Sequence, residues 1–287
     1  MLTEVGHIVM AVRDLSACRA HYGEALGLVE LGCGEAADGA SLCLFGIGPS
    51  ILELHQKPAA EPNPETADAR PVVDHFALSV DDLDEAYAAL KEREVDFLNE
   101  PAATAIGHRN MQRALATFVD PSDFHIQLSK TIDPRPHLEA RKDAKRRMSR
   151  ASTSLFGGID HISTYCTDFA RTRDFYTRQL GLEEFFHSTT REEGQAVVAG
   201  FAQSAFAVGG TDIELAVYDT QTPVAPGTIR QLGFWTDDID RTYRNLQDSD
   251  LALDGPPAEW SPLPGIQRRA FTLRAPDGLQ VQIAQTL

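Results

Sequence analysis

Histidine recurs in this chain at positions that repeat. His7 and His161 open two segments that superpose at one constant offset, with Asp14 falling on Asp168, Tyr22 on Tyr176 and Leu26-Gly27-Leu28 on Leu180-Gly181-Leu182. A slightly longer offset lays His75 on Gln231, Asp81-Asp82 on Asp237-Asp238, Tyr87 on Tyr243 and Leu90 on Leu246. Near the ends of these segments Gln112-Arg113 meets Gln267-Arg268, and Phe124-His125-Ile126-Gln127 meets Leu279-Gln280-Val281-Gln282. An imidazole is a ligand for divalent metals, although a lone histidine is more often a satisfied core residue, and a lone glutamate such as Glu53 more often faces solvent. The chemistry therefore depends on what the fold brings together.

The repeat order is A-B-A'-B', and each unit has the same composition of elements. Short apolar runs, Gly6 to Val12 and His75 to Val80, suit strands, and each is closed by an Asp suited to capping a helix N-terminus. Leu83, Ala86, Tyr87 and Leu90 follow at helical spacing, as do Phe169, Thr172, Phe175, Tyr176 and Leu180, while Gly27 and Gly181 sit where helix C-caps belong. The recurring tyrosines Tyr22, Tyr87, Tyr176 and Tyr243 read as packing residues. Three short strands complete each unit; in the first they run over about Val29 to Gly34, Leu42 to Phe45 and Ile51 to His55. In the last of these Glu53 lies between Leu52 and Leu54, so its side chain points opposite to theirs.

The chain divides on this reading into a first domain at 1–130, with units at about 4–58 and 71–130, a linker at 131–157, and a second domain at 158–287, with units at about 158–220 and 228–287. Asp133-Pro134-Arg135-Pro136 opens the linker, and its basic run from Arg141 to Arg150 reads as a solvated helix face. With 287 residues, 43% of them hydrophobic, two buried cores are expected. A net charge of -16 repels phosphate backbones and anionic lipid, which excludes nucleic acid and membrane surfaces as partners and leaves a small molecule. Cys18, Cys33, Cys43 and Cys166 show no CxxC spacing, so reduced thiols are expected. With no long apolar span or leader-like start, a cytoplasmic location is expected.

Gly-His-Ile at the head of a unit, Tyr-x-x-x-Leu-Gly-Leu after its helix and Asp-Pro-Ser-Asp-Phe-His-Ile-Gln-Leu at the end of the second resemble the vicinal-oxygen-chelate superfamily (glyoxalase, bleomycin resistance protein, extradiol dioxygenase) over nearly the whole chain. The resemblance implies an α+β fold of four βαβββ modules forming two half-open barrels, with metal ligands on the first and last strands of the modules. Carried over position by position, the first-strand sites are His7, His75, His161 and Gln231, and the last-strand sites are Glu53, Gln127, Glu214 and Gln282. If module one pairs with two, the pairing that the linker favours, one barrel offers His7, Glu53, His75 and Gln127, a set suited to Fe(II), Mn(II), Ni(II) or Zn(II), with Fe(II) first. The other barrel then offers His161, Glu214, Gln231 and Gln282, a poorer or degenerate site. Some four-module relatives pair one with four and two with three, which would assemble His75, Gln127, His161 and Glu214.

The implied activity is a metal-dependent, ring-cleaving dioxygenase-type reaction on a small chelating substrate. Two alternatives stay open: a glyoxalase- or epimerase-like lyase or isomerase, and a binding protein that sequesters a small molecule without chemistry. Arg109 and Arg113 precede a last strand and are candidates to contact an anionic substrate group, as are Arg268 and Arg269, with surface salt bridges as the alternative. His21, His55, His108, His125, His137 and His187 are read as surface or supporting residues. Assembly into a homo-oligomer is left open.

Overall fold

The computed structural model describes residues 1–36, 38–57, 69–105, 112–133, 155–189, 202–217, 223–225 and 227–287. Asp14, Asp82, Asp168 and Asp238 stand in extended backbone at the heads of helices Leu15–Ala20, Leu83–Glu92, Phe169–Asp174 and Ile239–Gln247. Each carboxylate accepts a backbone N–H from the residue three further on, so each strand ends where its helix begins. The first and third helices widen into π turns, His21–Ala25 and Phe175–Gln179. They stop at Gly27 (φ +73°) and Gly181 (φ +68°), left-handed positions that favour glycine.

The strands are β1 (Leu2–Ala11), β2 (Val29–Glu35), β3 (Ser41–Ile47) and β4 (Ser50–Gln56) in module one, then a short β5 (Arg70–Pro71). Module two holds β6 (Val73–Ser79), β7 (Ala102–Ala105), β8 (Gln112–Val119) and β9 (His125–Asp133). Module three holds β10 (Gly158–Tyr165), β11 (Glu183–Ser188), β12 (Ala202–Val208) and β13 (Thr211–Val217), followed by a short β14 (Val224–Ala225). Module four holds β15 (Ile229–Thr236), β16 (Ala258–Trp260), β17 (Arg268–Arg274) and β18 (Gln280–Thr286).

Two curled eight-stranded sheets result, ordered β16-β17-β18-β15-β1-β4-β3-β2 and β11-β12-β13-β10-β6-β9-β8-β7. Within each module the first and last strands run parallel, and the two modules of a sheet join through antiparallel first strands, β1 with β15 and β6 with β10. Module one therefore pairs with four, and two with three. The one-with-two pairing favoured by the linker is not what the sheets adopt.

The reason lies on the helix side. Tyr22 in module one donates to the Asp120 carboxylate of module two at 2.9 Å, and Cys18 lies 3.4 Å from the Ser122 hydroxyl. Thr172 in module three donates to Asp277 of module four at 2.9 Å. Consecutive modules thus meet where the helical segment of one covers the turn before the last strand of the next, which leaves their strand edges to the other half of the chain. One buried core runs through all four modules, including Ile8, Phe76, Ile162 and Phe234. Tyr22 and Tyr176 are buried in it, with Tyr87 and Tyr243 packed against it, as packing residues should be.

Two further expectations change. β9 continues to Asp133, so the stretch read as linker begins within a strand, and its basic run lies outside the described residues. Cys33 and Cys43 face each other across β2 and β3 and form a disulfide rather than remaining reduced, whereas Cys18 and Cys166 are free and buried.

Because every sheet takes one module from each half of the chain, cutting the connection between halves should not separate them. Cleavage at an engineered protease site between residues 134 and 154 is expected to give two fragments that co-elute on gel filtration and unfold in one transition. Fragments that part without denaturant would contradict the interleaved pairing.

Candidate functional sites in the two cups

The joining strands place the candidate residues on the concave face of each sheet. β13, β10, β6 and β9 bring together Glu214, His161, His75 and Gln127; β18, β15, β1 and β4 bring together Gln282, Gln231, His7 and Glu53. Both four-residue sets expected from the one-with-two pairing are consequently split between the cups.

In the cup of modules two and three, the two imidazoles point their Nε2 atoms at each other, 3.3 Å apart. Behind them, Nδ1 of His75 lies 2.7 Å from the Asp74 carboxylate and Nδ1 of His161 lies 2.9 Å from that of Asp160. A carboxylate accepts, so each Nδ1 carries the proton and each Nε2 presents a lone pair. Two lone pairs facing at that distance repel unless a cation stands between them. An ion about 2.1 Å from both nitrogens, with an angle of roughly 100° between the bonds, spaces them by about 3.2 Å, so the observed separation already suits a shared metal. Burial pushes the His161 pKa down, which disfavours a proton as that cation. The side-chain oxygen of Gln127 is buried without a hydrogen-bond partner, as a fourth donor would be before use.

Glu214 stands beside this pair and is hydrogen-bonded by Arg113. Among the described residues no three His, Cys, Asp or Glu side chains are already closed around one point; Glu214 turns an oxygen to Arg113 instead. Burial disfavours its charge, but the Arg113 guanidinium and its hydrogen bond outweigh that and hold its pKa well below the usual carboxylate value. Arg113 is fully buried and also bonds Asp212 at 2.7 Å and pairs with Asp160 at 3.2 Å. Three carboxylates thus meet one guanidinium beside the imidazole pair. Donor set and spacing fit a divalent cation.

The cup of modules one and four holds a different arrangement. Arg268, 1% exposed, donates to Nδ1 of His7 at 2.7 Å and to Glu53, and its guanidinium lies 4.1 Å from the ring centre of Trp260. With Nδ1 accepting, the His7 proton sits on Nε2, and the Gln231 amide 2.9 Å away has to turn its oxygen, not its NH2, to that N–H. In this cup the guanidinium takes one carboxylate, Glu53, and one imidazole, His7, as its partners. Local sequence explains the switch. Gly6 stands where module three has Asp160, and a Cβ there would lie 2.8 Å from the Trp235 ring; a Cβ at Gly233 would strike the His7 ring, where module two has Ala77. Leu42 and Leu44, which share the Glu53 face of their sheet, pack with Leu263 into a small buried cluster. The corresponding face in module three carries Ala205.

Arg113 and Arg268 are therefore internal counter-ions, not substrate contacts, because both are buried against the chain's own acids. Arg269 instead pairs on the surface with Asp240 at 2.9 Å, and Arg109 lies outside the described residues, as do His108 and His137. His55 lies 3.5 Å from Glu53 and supports it. Glu53 does not face solvent: it is wholly buried. Sequence reasoning missed Asp74, Asp160 and Asp212, although Val-Asp-His and Ile-Asp-His against Gly-His in module one is a visible signal.

A family model described as "Glyoxalase/Bleomycin resistance protein/Dioxygenase superfamily" matches residues 4–128 and 158–283. Similar solved structures include glyoxalase I from Zea mays (19% identity, TM-score 0.66, covering 98% of this chain and 92% of that one). A mutant of the maize enzyme gives 20% identity and a TM-score of 0.69, covering 98% and 93%. A putative dioxygenase from Bacillus subtilis subsp. subtilis str. 168 gives 14% identity and a TM-score of 0.68, covering 99% and 86%. At these identities the likeness concerns the fold. No curated protein matches.

Two outcomes are expected. Arg268→Ala strands the Glu53 carboxylate in the core and should cost about 3–5 kcal/mol in urea unfolding. Acid should also destabilise the fold. Burial holds His7 down to about 3 and His21 to about 4, whereas the unfolded chain protonates both near 6.5. Their stabilisation is complete above pH 6.5 and is lost as pH falls towards those values. The urea midpoint should drop between about pH 7 and about pH 4.5, with a shallower slope in His21→Gln.

Proposed function

Because this chain belongs to the Glyoxalase/Bleomycin resistance protein/Dioxygenase superfamily, we propose that it is a divalent-metal-dependent enzyme acting on a small chelating substrate in the cup of modules two and three. His75, His161 and Glu214 are the metal ligands, with the Gln127 amide oxygen as a fourth. The observation that carries this reading is the opposed pair of imidazole nitrogens, each backed by a carboxylate. The cup of modules one and four is a structural counterpart with Arg268 as its internal cation.

The reaction this donor set favours is an oxygenase-type ring cleavage of a catechol-like compound, with Fe(II) as the ion. Two imidazoles and one carboxylate are the ligands of Fe(II) oxygenases, and an ion so held supplies neighbouring positions for a chelating substrate and oxygen. Glu214 contributes the single anionic donor, its charge maintained by the Arg113 guanidinium that hydrogen-bonds it. Gln127 offers a neutral oxygen and cannot accept a proton at neutral pH, which weighs against a lyase or isomerase that needs a carboxylate base at that position.

Elemental analysis of protein purified without chelators or a histidine tag tests the reading. About one metal per chain is expected, lost in His75→Ala and in His161→Ala but retained in His7→Ala. Iron together with oxygen uptake on catechols supports the oxygenase. Nickel, zinc or manganese without oxygen uptake would move the assignment to a glyoxalase-like lyase or isomerase. Absence of metal would leave a small-molecule binding protein.

A further inference from the structure

We propose that Asp74 and Asp160 are positioning residues of the cup, each fixing the tautomer of the histidine that follows it in sequence so that the Nε2 lone pair faces inward. The inference rests on the metal-site reading above, but its central claim concerns the imidazoles themselves. Neutral imidazole carries its proton on either nitrogen, and a nearby acceptor decides which. Here the acceptors are carboxylates, at 2.7 Å from His75 Nδ1 and 2.9 Å from His161 Nδ1.

The carboxylates are themselves held. Asp160, 1% exposed, accepts from the Ser129 hydroxyl at 2.9 Å and pairs with Arg113 Nε at 3.2 Å. Asp74 stands nearer the rim, with 27% of its side chain exposed. The other cup is a built-in control. His7 follows Gly6, lacks a carboxylate on Nδ1, accepts a hydrogen bond from the Arg268 guanidinium there instead and so carries its proton on Nε2. One position before the histidine thus separates a ligand from a core residue. A carboxylate behind the imidazole also makes Nε2 a stronger donor, an effect worth about 10–100-fold in metal affinity in general.

The test uses Asp74→Asn and Asp160→Asn in the full chain. Zinc affinity is measured by competition with a chelator, and the tautomers of His75 and His161 are read by nitrogen NMR on metal-free protein. Asp74→Asn should keep the melting temperature, weaken zinc binding about 10–100-fold and populate the Nε2–H form of His75; Asp74→Glu should restore much of the affinity. A folded Asp74→Asn protein with wild-type tautomer and zinc affinity would overturn the proposal. Asp160→Asn should shift His161 in the same way, and if loss of its contacts to Arg113 and Ser129 unfolds the chain, the Asp74 pair carries the decision. If zinc affinity is unchanged by His75→Ala, the metal-site reading fails, while the tautomer spectra still decide the role of Asp74.

Discussion

A guanidinium buried in each cup sets what that cup can hold. Removing an arginine side chain from water costs several kcal/mol unless counter-charges meet it, so the surrounding carboxylates are fixed in number and place by this need. Arg268 meets one carboxylate, Glu53, and takes the nearest histidine as its second partner. Arg113 meets three, Asp160, Asp212 and Glu214, and leaves the histidines to one another. The two arginines occupy equivalent places in the repeat. The difference in how many carboxylates each arginine meets comes from Asp160 and Asp212, which module one lacks.

The four modules were legible because they are copies. Tyr22 on Tyr176, Leu26-Gly27-Leu28 on Leu180-Gly181-Leu182, and the four capping aspartates each reflect a local requirement of a strand–helix–strand unit, and local requirements are written locally. The first and last strands of the modules are neighbours at the middle of each sheet. The partnership of modules was not legible in the same way, because it is decided by which helix covers which turn. Tyr22 reaching Asp120 in the next module leaves no periodic trace, and a charged, proline-containing connection looks the same whether it joins independent domains or strands of interleaved sheets.

Within the cups, the positions were legible and their company was not. His75 and Gln127 stand on neighbouring strands β6 and β9, and the strands in their sheet bring His161 and Glu214 rather than His7 and Glu53. Arginines just ahead of a last strand read as substrate contacts when only exposure and charge are considered. Arg113 and Arg268 face inward on β8 and β17, where the chain's own acids reach them first. Seeing that in advance required knowing which acids arrive from the partner module. The disulfide was unreadable for a similar reason: Cys33 and Cys43 become neighbours because the β2–β3 register pairs them directly, not because their spacing forms a motif.

The interleaving of the sheets also bears on how such a chain can diverge. Each half of the sequence supplies one module to each cup, so the two middle quarters share one set of neighbours and the first and last share the other. A similarity averaged over a half mixes one quarter from each cup. Ancestry in this chain is best traced quarter by quarter, in the order outer, inner, inner, outer.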